Sequence, residues 1–145
     1  KTQIIFEPGR FIVGNSSILI SKIIYIKKSN NKIFIILDAG MNDLMRPALY
    51  DAHHEIIPLK KSSKKIFGNI EFVGPICESS DKFLNKKKFS KVQEGDYVAI
   101  TDVGAYGTSL SSNYNTRPII AEVLVNRNKD KLIKKRQSLE NLVNN

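Results

Sequence analysis

Four short stretches of this chain set chemically capable side chains among turn-forming residues rather than in apolar runs. They are Glu7-Pro8-Gly9-Arg10, Asp38-Ala39-Gly40-Met41-Asn42-Asp43-Leu44 with Arg46-Pro47-Ala48-Leu49-Tyr50, Gly74-Pro75-Ile76-Cys77-Glu78-Ser79, and Gly104-Ala105-Tyr106-Gly107. In the first, glycine lets the backbone approach an anion and its N–H can donate to a phosphate. The arginine beside it offers a planar fork for a carboxylate. A strand-end turn with a surface ion pair accounts for the same four residues. Arg46 and Tyr50 are four apart, so one helical face presents both, and a surface pair is the plainer reading. Cys77 is the single cysteine of the chain, and a lone cysteine is most often a small buried hydrophobe. The glycines around Tyr106 leave room, and its phenol can donate to a phosphate oxygen; the plainer reading is a turn aromatic. Asp51-Ala52-His53-His54-Glu55 looks at first like a metal tract. Adjacent histidines, however, point to different sides of a helix or a strand, and the spacing of a zinc helix is missing. That stretch reads as structural, and no metal site is expected.

The elements that must position these residues are mostly strands. β-branched and apolar residues cluster over strand-like lengths at Gln3–Phe6, Ile18–Lys27, Lys32–Asp38, His54–Leu59, Ile66–Val73, Tyr97–Asp102, Ile119–Val125 and Lys131–Lys135, between breaks of Gly, Asn and Ser. Ile18–Lys27 alternates only in part, which predicts burial on both faces. Ser29-Asn30-Asn31 predicts a hairpin turn and Glu94-Gly95-Asp96 a tight turn before a strand. Helical signals are short. Asn42-Asp43 predicts a cap for a turn of helix through Leu49, with Pro47 limiting its length; Gly107–Asn113 and Ser138–Val143 predict two more brief turns. Many short strands at regular spacing predict a mainly β, closed or sandwiched domain.

The chain has 145 residues, 41% hydrophobic and 26% charged, which suits a single globular domain. No apolar run approaches a membrane span, and no charged-then-apolar leader opens the chain. One thiol cannot form an internal disulfide, which predicts a reducing, cytoplasmic setting. The net charge of +9 raises nucleic acid as a partner. The lysines come in short groups, such as Lys60-Lys61 and Lys86-Lys87-Lys88, beside Ser/Asn turns and without the interleaved stacking aromatics of a single-strand binder. They read as solvated surface, with no nucleic-acid partner and no membrane. The chain begins at Lys1 and runs directly into a strand-like segment, so the natural protein is expected to begin earlier.

Taken in order, the four stretches resemble the carboxy-terminal half of the diaminopimelate decarboxylases, within the alanine-racemase-like, fold-type III class of pyridoxal-phosphate enzymes. The resemblance runs from about Ile5 to about Glu140 and extends to Ser111-Ser112-Asn113-Tyr114-Asn115 and Arg117-Pro118. Met41-Asn42-Asp43-Leu44 favours this family over ornithine and arginine decarboxylases. The resemblance implies a carboxy-terminal β-barrel or sandwich domain over residues 11–145, appended to an upstream (β/α)8 barrel absent here, with residues 1–10 ending the last barrel strand and forming a cofactor-proximal turn. It implies conversion of meso-diaminopimelate to L-lysine and carbon dioxide with pyridoxal 5'-phosphate. The cofactor's Schiff-base lysine would belong to the barrel, so this chain alone would be inactive. Glu7, Gly9, Arg10 and Tyr106 would lie at the cofactor. Arg10, Arg46, Tyr50, Glu78 and Tyr106 would hold the substrate, and Cys77 would be the proton donor, a role that a thiol can fill as a general acid. Glu78 beside it would favour the protonated thiol by like-charge repulsion against thiolate. A homodimer is implied, with Cys77 and Glu78 reaching into the partner's site.

Two departures from the family pattern bear on local structure. Ser80 stands where many relatives have glycine, so the turn before Asp81 is expected to differ, and Ser16-Ser17 replaces a smaller Ala-Gly pair. Two other functions stay open: a related decarboxylase of a polyamine or basic amino acid, and a non-catalytic dimerisation or binding domain.

Overall fold

β-branched and aromatic residues build a sheet only if each strand finds a neighbour, and here six strands do so in one curved sheet. The computed structural model describes residues 2–144; the outermost residues of the two expected domain spans, Lys1 and Asn145, lie outside them. The strands of the main sheet are β1 (Leu19–Ser29), β2 (Lys32–Leu37), β3 (Ile56–Pro58), β4 (Lys65–Val73), β5 (Lys82–Ser90) and β6 (Tyr97–Ile100). Their spatial order is β3-β6-β1-β2-β4-β5. Every neighbouring pair is antiparallel except β2 and β4, which run parallel, Ile33 opposite Ile70 and Ile35 opposite Phe72. A separate hairpin follows, β7 (Glu122–Asn126) with β8 (Lys129–Lys134). Among the described residues there are also three short α-helices, α1 (Arg10–Val13), α2 (Arg46–Tyr50) and α3 (Leu139–Val143), and 3-10 turns at Gly14–Ser16, Thr108–Leu110 and Tyr114–Thr116.

β1 bends the sheet. Its first half pairs with β6, from Leu19 opposite Ile100 to Lys22 opposite Tyr97, and its second half pairs with β2. The register shifts between Ile23 and Tyr25, and such a bulge increases local twist. The curl brings the two edge strands together, since Lys86 of β5 forms an ion pair with Glu55, the residue just before β3. The result is a nearly closed, barrel-like sheet, the mainly β architecture expected from the sequence.

Inside the curl lie Ile23, Ile35, Leu37, Ile56, Ile70, Phe72, Val98 and Ile100, all with no exposed surface. Phe72 meets Phe89 edge to face, with ring centroids 4.8 Å apart, a favoured aromatic geometry.

Several sequence expectations need correction. Ile18–Lys27 is not buried on both faces: Leu19, Ser21 and Ile23 point inward while Ile20 and Ile24 are exposed, because none of the described elements covers that outer face. Gln3–Phe6 forms no strand; none of the described strands lies beside it to take its backbone hydrogen bonds, and Ile4, Ile5 and Phe6 are exposed. β5 was not anticipated, since its Lys86-Lys87-Lys88 run masks a strand that buries only Phe83, Phe89 and Ser90. Asn42-Asp43 does not cap the second helix, which starts later, at Arg46. The expected turns do form: Asn30 takes φ 44° between β1 and β2, and Gly95 takes φ 89° before β6. Ser138 caps α3, its hydroxyl accepting from Asn141 N–H at 3.1 Å.

Phe72→Ala should lower the unfolding free energy in urea by about 3–5 kcal/mol. Ile20→Ser, on the uncovered face, should change it by no more than about 0.5 kcal/mol.

Candidate functional site

The strand directions decide where the four sequence stretches meet. β2 and β4 run parallel, so the loops that leave them emerge at the same end of the sheet. β1 and β6 are antiparallel to each other, and β1 is antiparallel to β2. The segment entering β1 and the loop leaving β6 therefore lie at that same end. One rim thus carries Glu7–Arg10 before β1, Asp38–Tyr50 after β2, Gly74–Ser79 after β4 and Gly104–Gly107 after β6.

Arg46 opens α2, with Pro47 in the first turn, where no backbone N–H is needed. Asp51 ends the helix in a left-handed conformation, φ 51°. The Arg46 guanidinium lies 5.9 Å from the Tyr50 ring centroid and 5.5 Å from that of Tyr106. Three of the expected site residues are thus one cluster, a cation against two π-faces. Both rings are at least half exposed.

Tyr106 is held in the left-handed region, φ 61°, a conformation that costs a side-chain-bearing residue about 1–3 kcal/mol and tends to occur where a side chain must be aimed. Close backbone approach imposes it. Gly104 N–H donates to Gly14 O at 2.9 Å and Val103 N–H to Ser17 O at 3.2 Å. A Cβ on Gly104 would sit 2.0 Å from Val13 O, and one on Gly107 2.5 Å from Val103 O. The Tyr106 loop is thereby sewn to the segment that begins with α1. Ser16 fits there without strain, its hydroxyl donating to Val13 O at 2.7 Å.

Arg10 begins α1 and is exposed, as are Glu7 and Gly9. Around Gly9 there is open space, with nothing within 4 Å of where a Cβ would stand. Cys77 and Glu78 are both exposed on the turn between β4 and β5, so the thiol is not the buried hydrophobe that a lone cysteine suggests. Among the described residues, no ion pair or hydrogen bond ties the Cys77 or Glu78 side chain to the Arg46 cluster. Ser80 takes no left-handed φ, so serine fits that turn without backbone strain.

Under this rim lies a polar network that sequence reading missed. Asp43 Oδ2 accepts from Gly40 N–H at 2.9 Å, and Asn42 Nδ2 donates to Asp43 Oδ1 at 3.1 Å. Arg117 reaches in from the chain beyond β6. Its Nε donates to Asn42 Oδ1 at 2.9 Å, its Nη2 lies 3.5 Å from Asp43 Oδ2, and it also bonds Asp38 O. These contacts occupy the side chains expected to cap a helix. Asp81 accepts from Met41 N–H at 2.7 Å and Ile76 N–H at 2.8 Å. Asp43 and Asp81 are 5% and 3% exposed. Burial pushes both carboxyls above their ordinary value of 3.8; for Asp43 the Gly40 N–H, Arg117 and Asn42 oppose the rise. For Asp81 the Ile76 and Met41 N–H groups and Arg117 oppose it, while Asp43 adds to it. In sequence Asp43 was legible only as a cap candidate, Asp81 only as a neighbour of the Cys77 stretch, and Arg117 only as part of the resemblance.

The histidine pair diverges. His53 lies at the surface 3.7 Å from Glu55, while His54 is buried with Nδ1 2.9 Å from Thr101 O. His54 Nε2 has no partner. Among the described residues no helix is long and apolar enough to cross a membrane.

Residues 11–104 match the model of the pyridoxal-dependent decarboxylase C-terminal sheet domain. The chain belongs to that family. It is 49% identical over 141 residues to the diaminopimelate decarboxylase of Zymomonas mobilis, covering 97% of this chain and 33% of the relative. The crystal structure of diaminopimelate decarboxylase from Helicobacter pylori complexed with L-lysine superposes with a TM-score of 0.87 at 46% identity, over 95% of this chain and 34% of that one. The diaminopimelate decarboxylase from M. jannaschii superposes with a TM-score of 0.90 at 40% identity, over 95% of this chain and 31% of that one. The chain therefore spans about a third of the length of these relatives.

A pH prediction follows from the buried carboxyls. Their folded pKa values are raised, so their stabilising contribution is complete below about 3.8, the unfolded value, and is lost as pH rises through the folded values. Ionised Asp43 depends on Arg117, whereas protonated Asp43 does not. Arg117→Met should cost about 1–3 kcal/mol at pH 7 and less at pH 4, measured by urea unfolding at both.

Proposed function

We propose that this chain is the carboxy-terminal part of a pyridoxal-phosphate-dependent decarboxylase that converts meso-2,6-diaminopimelate to L-lysine and carbon dioxide. One observation carries the reading: strand direction gathers all four chemically capable stretches on one rim, with Arg46 seated against Tyr50 and Tyr106. The name shared by its relatives supplies the substrate.

The residues present suit the cofactor. Open space at Gly9 lets a phosphate approach the backbone N–H, Arg10 is free to face an anion, and the half-exposed Tyr106 phenol is available to a phosphate oxygen or a ring. Glu7 completes that cofactor-proximal turn. Pyridoxal phosphate, held by a Schiff-base lysine outside this chain, supplies an electron sink for the pair left on the α-carbon when the bond to the carboxylate breaks. Arg10, Arg46, Tyr50, Glu78 and Tyr106 hold the substrate. Arg46 and Glu78 have the charges needed for the carboxylate and the ammonium at its far end, and hydrogen-bonded charge recognition rejects analogues lacking those groups. Cys77 Sγ–H delivers a proton to the α-carbon after carbon dioxide leaves, and the thiolate regains a proton from solvent.

The exposure of Cys77 and Glu78 supports a homodimer in which this turn completes the partner's site. The start of the family match at residue 11 supports a division with residues 1–10 ending the barrel and 11–145 forming the sheet domain. The exposed lone thiol suits the reducing cytoplasm.

The test is the protein carried to its natural start, purified with pyridoxal phosphate and supplied with meso-diaminopimelate. Lysine should form, and Cys77→Ala should lower kcat roughly 10²–10⁴-fold. Cofactor binding without lysine formation would overturn the substrate assignment and favour a polyamine or basic amino acid, whereas lack of cofactor binding would favour a binding domain. Glu78→Gln should raise KM for diaminopimelate by roughly tenfold, and an unchanged KM would remove Glu78 from the substrate site.

A further inference from the structure

Asp81 bonds main-chain groups through both its carboxylate and its own backbone. Its carboxylate accepts from Ile76 N–H on its own turn and from Met41 N–H on the loop after β2. Its backbone carbonyl accepts from Gly74 N–H at 3.0 Å, and its N–H donates to Glu78 O at 3.1 Å. Those two backbone bonds close the segment that displays Cys77 and Glu78. The contact with Met41 joins it to a second turn, in which Asp43 and Leu44 N–H groups donate to Gly40 O before the chain enters α2 at Arg46. The two turns also touch directly. A Cβ at Gly40 would lie 2.9 Å from Ile76 Cδ1, and Ser80 Oγ lies 3.6 Å from Met41 Sδ. Gly74 leaves the space that the Asp81 carboxylate fills, since a Cβ there would be 2.2 Å from Oδ2.

We propose that Asp81 is a positioning residue whose carboxylate clamps the Cys77–Glu78 turn to the Gly40–Met41 turn and so fixes the direction in which the thiol and Glu78 are presented. The proposal rests on the decarboxylase reading for the roles of Cys77 and Glu78. Charge-assisted bonds from a buried carboxylate to two backbone N–H groups are short and directional. A neutral amide in the same place would turn one N–H₂ group toward a backbone donor.

Two variants of the full-length protein separate positioning from bulk stability. Asp81→Asn replaces one acceptor of the clamp, and Gly74→Ala pushes the carboxylate aside with its charge intact. Both are studied well below their melting midpoints, where they are folded. The first readout is the iodoacetamide alkylation rate at the Cys77 peptide, followed by mass spectrometry. It should rise several-fold in both variants. The second is turnover: kcat should fall roughly 10- to 100-fold, and Asp81→Asn with Cys77→Ala should be no slower than Cys77→Ala alone, as expected when one residue acts through the other. Lower melting midpoints with unchanged Cys77 alkylation and kcat losses that multiply would overturn the proposal and leave Asp81 a structural residue. A wild-type protein that makes no lysine would overturn the decarboxylase reading instead, and the alkylation rates would still decide whether the clamp exists.

Discussion

A carboxylate withdrawn from water must find donors, and the need of Asp43 and Asp81 for donors organises this domain's functional rim. Neither is neutralised by a close, buried cation of its own. Asp43 has Arg117 at 3.5 Å, with Gly40 N–H and Asn42 as nearer partners, and Asp81 relies on two backbone N–H groups. Main-chain donors have fixed directions, so satisfying these oxygens fixes the backbone that carries the donors. Charge burial therefore becomes loop geometry: the turn after β2 and the turn after β4 cannot move independently while Asp81 holds both.

The apolar part of the fold supplies the platform. Ile23, Ile35, Phe72, Val98 and Ile100 fill the inside of the curl, and the Lys86–Glu55 pair joins its edges. The single parallel pairing, β2 with β4, is the decisive feature of the topology. Had those strands been antiparallel, the loop bearing Cys77 would have left the sheet at the opposite end from the loop leading to Arg46. The intervening chain, α2 and β3, makes that parallel return possible.

At the other side of the rim, order is bought with backbone strain rather than charge. Gly104 and Gly107 admit carbonyl oxygens that no side chain would tolerate, and Tyr106 between them is forced to φ 61°. The reward is a ring aimed at Arg46, whose stem is set by the start of α2 and whose head is flanked by Tyr50. A guanidinium between two rings keeps its charge while losing freedom, which suits recognition of a carboxylate.

The amino-acid sequence by itself determined the mainly β character, most of the strands, the turns at Asn30 and Gly95, the terminal helical turn at Ser138–Val143 and the four stretches that bear the chemistry. Those are local matters: β-branched runs, left-handed turn positions and capping hydroxyls act over a few residues. The strand hidden behind Lys86-Lys87-Lys88 was not legible, because on an edge strand a few inward residues suffice and the outward positions carry any polar side chain. Nor was the one-sided burial of Ile20 and Ile24, which depends on whether another layer covers that face. Arg46 with Tyr50 was readable from helical spacing, but the approach of Tyr106 was not. Asp81 was seen only as a neighbour of a richer motif, and Arg117 only as part of the resemblance, with no role. Their roles depend on partners 40 and 75 residues away in the chain: Met41 N–H donates to Asp81, and Asn42 Oδ1 accepts from Arg117. Only the tertiary structure decided those contacts, since a buried charge is satisfied by whatever the folded sheet brings within reach, and sequence distance carries no record of that.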